Sequence, residues 1–287
     1  MERLVTAANG TRLCLDEAGP EDGPLVLAIE GHGAQLIQTP TAWVRRLTSA
    51  GCRVVRLDNR DVGRSQRFAV GPASRYTLHD MAEDVHGLLS VLGGGGALVA
   101  GHSMGGAIAQ LLALEHPDDV VGLVLVSTWA KDGPAVPPGR EREAVPAPFV
   151  DEEGFIAYER VALPRSGGSA YPVVASRVEA LARSLWRRGV DWDGIERQSL
   201  AIVRTHPWAA RLGELGARCR SGRLPVAVVH GQEDTAVPPA AACYLHEAVP
   251  GSSLLLVPGM GHARPTALAG NLADLTLGLL SRARPDR

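Results

Sequence analysis

The chain has 287 residues, 45% of them hydrophobic and 21% charged, with a formal net charge of -2 at pH 7. That length suits one large α/β domain carrying an insertion, or two small domains, with the composition of an ordinary globular protein. The near-neutral charge argues against nucleic-acid or anionic-membrane partners, and there is neither a signal-like N-terminus nor an apolar run near the roughly 18 residues of a membrane span, so a cytoplasmic protein is expected.

In chain order, Arg3–Thr6 and Arg12–Asp16 flank Asn9-Gly10, a dipeptide suited to a tight hairpin. Pro24–Ile29 reads as a buried strand running into the glycine-rich loop Glu30-Gly31-His32-Gly33. A helix from near Pro40 through Leu47 precedes the strand Cys52–Leu57, which ends in Asp58-Asn59-Arg60-Asp61-Val62-Gly63-Arg64-Ser65. Leu78, Met81, Val85, Leu88, Leu89 and Leu92 recur at helical spacing behind Thr77, a suitable N-cap, and Gly93–Gly96 closes that helix. Leu98–Gly101 is the next strand, followed by an Ala/Leu-rich helix to about Leu114 and an apolar strand at Val120–Val126. Short apolar strands alternating with helices predict βα units and a mostly parallel sheet.

The organisation changes after Ser127. Residues 131–150 are rich in Pro and charge, and helical patterns follow over Glu152–Ala162, Tyr171–Trp186 and Trp192–Arg204. Strand character returns at Leu224–His230, then come a helix at Pro239–Ala248, a strand at Ser253–Val257, a closing helix near Thr266–Leu280 and a polar tail from Ser281. The expected domains are a core of residues 1–129 and 216–287 with an inserted helical cap at 130–215. Cys14, Cys52, Cys219 and Cys243 are far apart without C-x-x-C or zinc-like spacing, and are read as reduced thiols.

The chemistry concentrates at Gly101-His102-Ser103-Met104-Gly105. A G-x-S-x-G turn between strand and helix is the setting of a nucleophile elbow, and its glycines let the two backbones approach where a Cβ would clash. A serine hydroxyl needs a general base in hydrogen-bond reach. His262, in a glycine-rich loop after the last strand, is the best of nine histidines, since open sheets place their sites at such strand ends. Asp234 follows the strand before it by a short loop and is suited to orient the imidazole; Glu233 is the runner-up. Charge developing on a tetrahedral intermediate calls for backbone N–H donors at Met104, just after the nucleophile, and at His32 in the loop after Ile29. The His32 side chain is open between substrate contact and local support. His102 diverges from Ser103 along the elbow and is read as packing under the loops.

With the order Ser–Asp–His in place, the chain resembles the α/β-hydrolase fold enzymes over almost its whole length. Glu30-Gly31-His32-Gly33-Ala34-Gln35-Leu36 followed by Asp58-Asn59-Arg60-Asp61-Val62-Gly63-Arg64-Ser65 is similar in particular to the aclacinomycin methylesterase group of aromatic polyketide biosynthesis. The resemblance implies an eight-stranded, mostly parallel sheet with helices on both faces, a helical cap over the pocket, and roles for Ser103, Asp234, His262, His32 and Met104 that match those reasoned from the residues. Glu30 departs from the family, where His, or Met in this group, stands; it either charges the pocket or pairs with a neighbouring Arg. Arg60 and Arg64 are read as ties between loops rather than phosphate binders, since no phosphate-binding glycine loop supports nucleotides. Trp129, Trp186, Trp192 and Trp208 either face a flat apolar substrate or pack in the core.

The expected function is cofactor-free and metal-free hydrolysis of a small-molecule carboxylic ester, with a polyketide methyl ester suggested by the resemblance. Lactonase, thioesterase, amidase, C–C hydrolase, perhydrolase and acyl-transfer or cyclisation chemistry share the elbow, and a hydrolase-like small-molecule receptor is the non-enzymatic alternative. Ser103 stands where dehalogenases and epoxide hydrolases of this fold would need a carboxylate. Oligomeric state stays open between a monomer and a homodimer.

Overall fold

A computed structural model describes residues 2–69, 75–93, 96–133 and 149–283. Residues 70–74, most of the Pro-rich stretch 131–150, two residues of the Gly93–Gly96 turn and the last four of the tail lie outside them. Among the described residues eight strands form one sheet: β1 (Arg3–Thr6), β2 (Arg12–Ala18), β3 (Leu25–Ile29), β4 (Arg53–Leu57), β5 (Ala97–His102), β6 (Val120–Val126), β7 (Val226–Gly231) and β8 (Ser253–Val257). Their spatial order is β1-β2-β4-β3-β5-β6-β7-β8. β2 runs antiparallel to both β1 and β4, and every pairing from β4 to β8 is parallel.

The helices are α1 (Thr41–Ser49), α2 (Leu78–Val91), α3 (Met104–Glu115), α4 (Glu152–Ser166), α5 (Ala175–Arg188), α6 (Trp192–Arg204), α7 (Leu212–Arg220), α8 (Ala240–Ala248) and α9 (Ala269–Ala283). Burial of both sheet faces explains why the central strands are apolar without alternation. In β3, Leu27 and Ile29 face one core with α2, α3, α7 and α8, while Val26 and Ala28 face a second core with α1 and α9. Thr77 caps α2 with a capping box to Asp80.

The largest departures from expectation fall after Ser127. α5 starts at Ala175 rather than Tyr171, because Pro172 follows a residue already engaged in a bridge to Gly168. α4 runs on to Ser166, past the expected Ala162. α7 has no counterpart in the sequence reading; its Leu212 and Leu215 pack into the main core, so the expected limit of the cap at residue 215 falls within a helix. Trp208 is also buried there, its indole N–H donating to Gln110 Oε1 at 3.0 Å. α4 and α5 instead carry a small core of their own, built on Phe155, Ile156, Ala182 and Leu185. All four cysteines are free thiols, three of them buried.

Candidate active site

The parallel register brings the C-terminal ends of β3, β5, β6, β7 and β8 to one edge, with Ile29 opposite Gly101 and His102 opposite Val126. Ser103 sits there between β5 and α3, with φ 52°, a conformation L-residues avoid. Its neighbours over-determine that strain: the Ser103 N–H donates to Val126 O at 2.9 Å, and Thr128 Oγ1 donates to Ser103 O at 2.7 Å. A Cβ built on Gly105 would stand 2.2 Å from Ile29 O, and one on Gly101 2.4 Å from Gly105 O, so backbone fills the space both glycines leave.

His262 Nε2 lies 3.0 Å from Ser103 Oγ, and His262 Nδ1 lies 2.8 Å from Asp234 Oδ2. Asp234 is buried, and its other oxygen accepts the N–H groups of Ala236 and Val237 at 2.9 and 2.8 Å. Burial pushes its carboxyl up, but hydrogen bonds from His230, His262 and the backbone outweigh it and hold the group well below the usual carboxylate range. Asp234 is therefore an anion facing the imidazole. Glu233 turns the other way, accepting from the N–H and Oγ of Ser169 beyond α4.

The loop after β3 lies against Ser103, for a Cβ on Gly31 would come within 3.1 Å of Ser103 Cβ. Next to it stands His32, one of the two expected backbone donors. Met104, the other, opens α3, where the first N–H groups have no intrahelical partner and the helix dipole favours negative charge. The His32 side chain is occupied by α6: its Nε2–H donates to Ile195 O at 2.9 Å, with Ser199 Oγ at 2.8 Å. That places it in local support. His102 supports the loop that carries His262, donating from Nε2 to His262 O at 2.9 Å. Burial and the nearby Arg264 guanidinium keep its imidazole neutral, well below the ordinary histidine pKa.

Glu30 is buried and paired with Arg264, at 2.7 Å from one carboxylate oxygen, and also accepts from Thr39 Oγ1. Of the two readings of this departure, the ion pair is the one observed. Arg60 forks onto Asp84 between the Phe68 and Tyr76 rings, and Arg64 pairs with Glu2, so both are ties between elements. Trp186 and Trp192 meet Phe149 in an aromatic cluster of the cap, with ring centroids 6.1 and 5.6 Å away.

Four residues that hold the site escaped the sequence reading. Gln198 of α6 is wholly buried, accepting from Gly33 N–H and donating to Arg60 O, both at 2.8 Å. Arg188 of α5 reaches Asp58 and Glu2 at 2.9 Å, and Arg197 of α6 forks onto Asp61. His230, four residues before Asp234 and wholly buried, has its Nε2 3.2 Å from Asp234 Oδ2 and donates to Val237 O at 3.0 Å. No local spacing marks the first three, whose partners lie 130 to 186 residues away. For His230, the same separation of four from Asp234 was the available signal.

Known proteins point the same way. The profile of the α/β hydrolase fold family matches residues 24–263. Over 94% of its length the chain is 30% identical to rhodomycin D methylesterase DauP of Streptomyces sp. (strain C5), covering 95% of that protein. It is equally similar, over the same shares, to rhodomycin D methylesterase DnrP of Streptomyces peucetius. The crystal structure of the enol-lactonase from Burkholderia xenovorans LB400 superposes with a TM-score of 0.74, at 24% identity over 97% of this chain and all of that one. The sheet order, the strained serine at the end of β5 and these matches agree that the chain belongs to the α/β-hydrolase fold family and is a carboxylic ester hydrolase.

Proposed function

We propose that this chain hydrolyses the ester of a small apolar molecule, a methyl ester of an aromatic polyketide, through a Ser103–His262–Asp234 triad and an acyl-enzyme. Ser103 Oγ attacks the ester carbonyl while His262 Nε2 takes its proton, and Asp234 fixes the tautomer and stabilises the imidazolium. The N–H groups of His32 and Met104 receive the oxyanion. The imidazolium then protonates the departing alkoxide, and the same nitrogen deprotonates the water that releases the acid. Residues 130–215 act as a cap on the core of 1–129 and 216–287, shaping the acyl and alcohol sites. One observation carries the reading: the unbroken hydrogen-bond relay of 2.8 and 3.0 Å from a buried carboxylate through His262 to a strained serine. The methylester preference rests on the two methylesterase relatives.

A fluorophosphonate probe tests the triad, and a panel of esters tests the substrate. Labelling of the wild type, its loss in Ser103→Ala, and faster release of methanol from a polyketide methyl ester than turnover of p-nitrophenyl acetate are expected. Labelling with turnover of simple esters but not of the methyl ester would overturn the substrate class alone. Absence of both labelling and turnover would overturn the triad.

A further inference from the structure

Away from the elbow, α2 and the far end of α3 bring together side chains that the ester chemistry does not use. His86 Nδ1 lies 2.6 Å from Asp119 Oδ2, and His116 Nε2 lies 2.6 Å from Glu83 Oε1. The two imidazoles stack face to face, with centroids 3.7 Å apart and planes 8° from parallel. One ligand atom each from His86, His116 and Asp119 falls within 4.8 Å of the others. The residues come as two i, i+3 pairs: Glu83 and His86 on α2, and His116 and Asp119 across the end of α3 and the turn Pro117–Asp119. α3 separates this cluster from Ser103 by its own length, about 18 Å at 1.5 Å per residue.

We propose that His86, His116 and Asp119 bind a divalent transition-metal ion, with zinc as the best match, and that Glu83 orients His116 from behind. The donor set points there: each ring meets a carboxylate through one nitrogen at 2.6 Å, and one donor atom from each of His86, His116 and Asp119 lies within 4.8 Å of the others. Two nitrogens and a carboxylate oxygen suit zinc, and a carboxylate on the second ring nitrogen is the usual outer partner of a metal-bound histidine. Tetrahedral bonds of about 2.0–2.1 Å set neighbouring ligand atoms roughly 3.4 Å apart, so on binding the 2.6 Å His86–Asp119 contact opens, the wider separations close and the rings turn out of their parallel stack, movements that partly exposed side chains can make. The fourth position is left to water. Such an ion ties α2 to the end of α3 and the turn into β6, so its role is to brace the scaffold rather than to act on substrate.

Calorimetric titration of the untagged, chelator-treated protein with zinc chloride tests this, with cobalt absorption as a second readout. One zinc ion per chain, a visible cobalt band of a four-coordinate site, and a higher melting temperature with zinc are expected. His116→Ala and the milder Asp119→Asn lose zinc affinity at least tenfold while ester turnover is retained. Absence of zinc binding by the wild type, or a zinc affinity unchanged in both variants, would overturn the site.

Discussion

Asp234 shows how much one carboxylate depends on its surroundings. Two backbone N–H groups hold one oxygen, and His262 and His230 converge on the other, so the anion survives burial. Asp234→Asn preserves the shape but removes the acceptor that selects the Nδ1–H tautomer of His262. We expect kcat to fall by about 10⁴ with KM little changed, read by steady-state ester hydrolysis. A fall below about tenfold would mean that Asp234 does not orient the base. Asp234 was legible in the sequence as a candidate, the loop residue after β7, whereas its second partner, His230, was not. A histidine ending an apolar strand reads as a core residue until the strand's neighbours show which way its ring points.

At the scale of elements, α5 and α6 are fastened to the sheet's loops by arginines. Arg188 of α5 reaches across to Asp58 and Glu2, and Arg197 of α6 reaches Asp61, all three acids lying in the N-terminal segment or the loop after β4. Asp58 is fully buried and also accepts from the N–H groups of Leu36 and Arg64, so it links the loop after β3 to the cap through one side chain. Removing the cation strands that charge. Arg188→Ala is expected to cost roughly 3–5 kcal/mol, measured by denaturant unfolding, whereas Arg64→Ala, whose side chain is half exposed, should cost under about 1 kcal/mol. Similar losses in the two variants would show that the cap is not held this way. The cap's helices were readable from their periodicity, but these anchors were not. Apolar spacing reports which face of a helix is buried and says nothing of which distant carboxylate an arginine meets.

For the whole molecule, stability should depend on pH at both ends. Asp234, Asp16 and Glu17 are held below their ordinary values, each against the upward push of burial, by hydrogen bonds and by His or Arg partners. Groups with a depressed folded pKa add stability above their unfolded value, near 4, and that stability is lost as pH falls through the folded value. The melting temperature should therefore drop steeply below about pH 4. Glu159 on α4 has the opposite sign, since burial pushes its carboxyl up to about 7. Its neutral form is the stabilised one, so stability is lost as pH rises through 7. Glu159→Gln should raise the melting temperature at pH 8 by on the order of 2–4 °C and by much less at pH 5, nearer the unfolded value. Equal effects at both values, by calorimetry, would contradict a titrating Glu159.

The chain order of strand, G-x-S-x-G turn and helix, with Asp234 and His262 after later strands, was enough to determine the fold family and to single out Ser103, Asp234 and His262 as its candidate triad. Those signals are local: strand apolarity, helical period and glycines where backbones touch are written in neighbouring residues. Tertiary structure alone decided the rest. It paired Glu30 with Arg264, turned Glu233 to Ser169 and His32 to α6, buried Trp208 in the main core, and set His86 against His116. Each of these joins side chains from segments distant in sequence, and which partner a polar group finds depends on the packing of whole elements rather than on its neighbours along the chain.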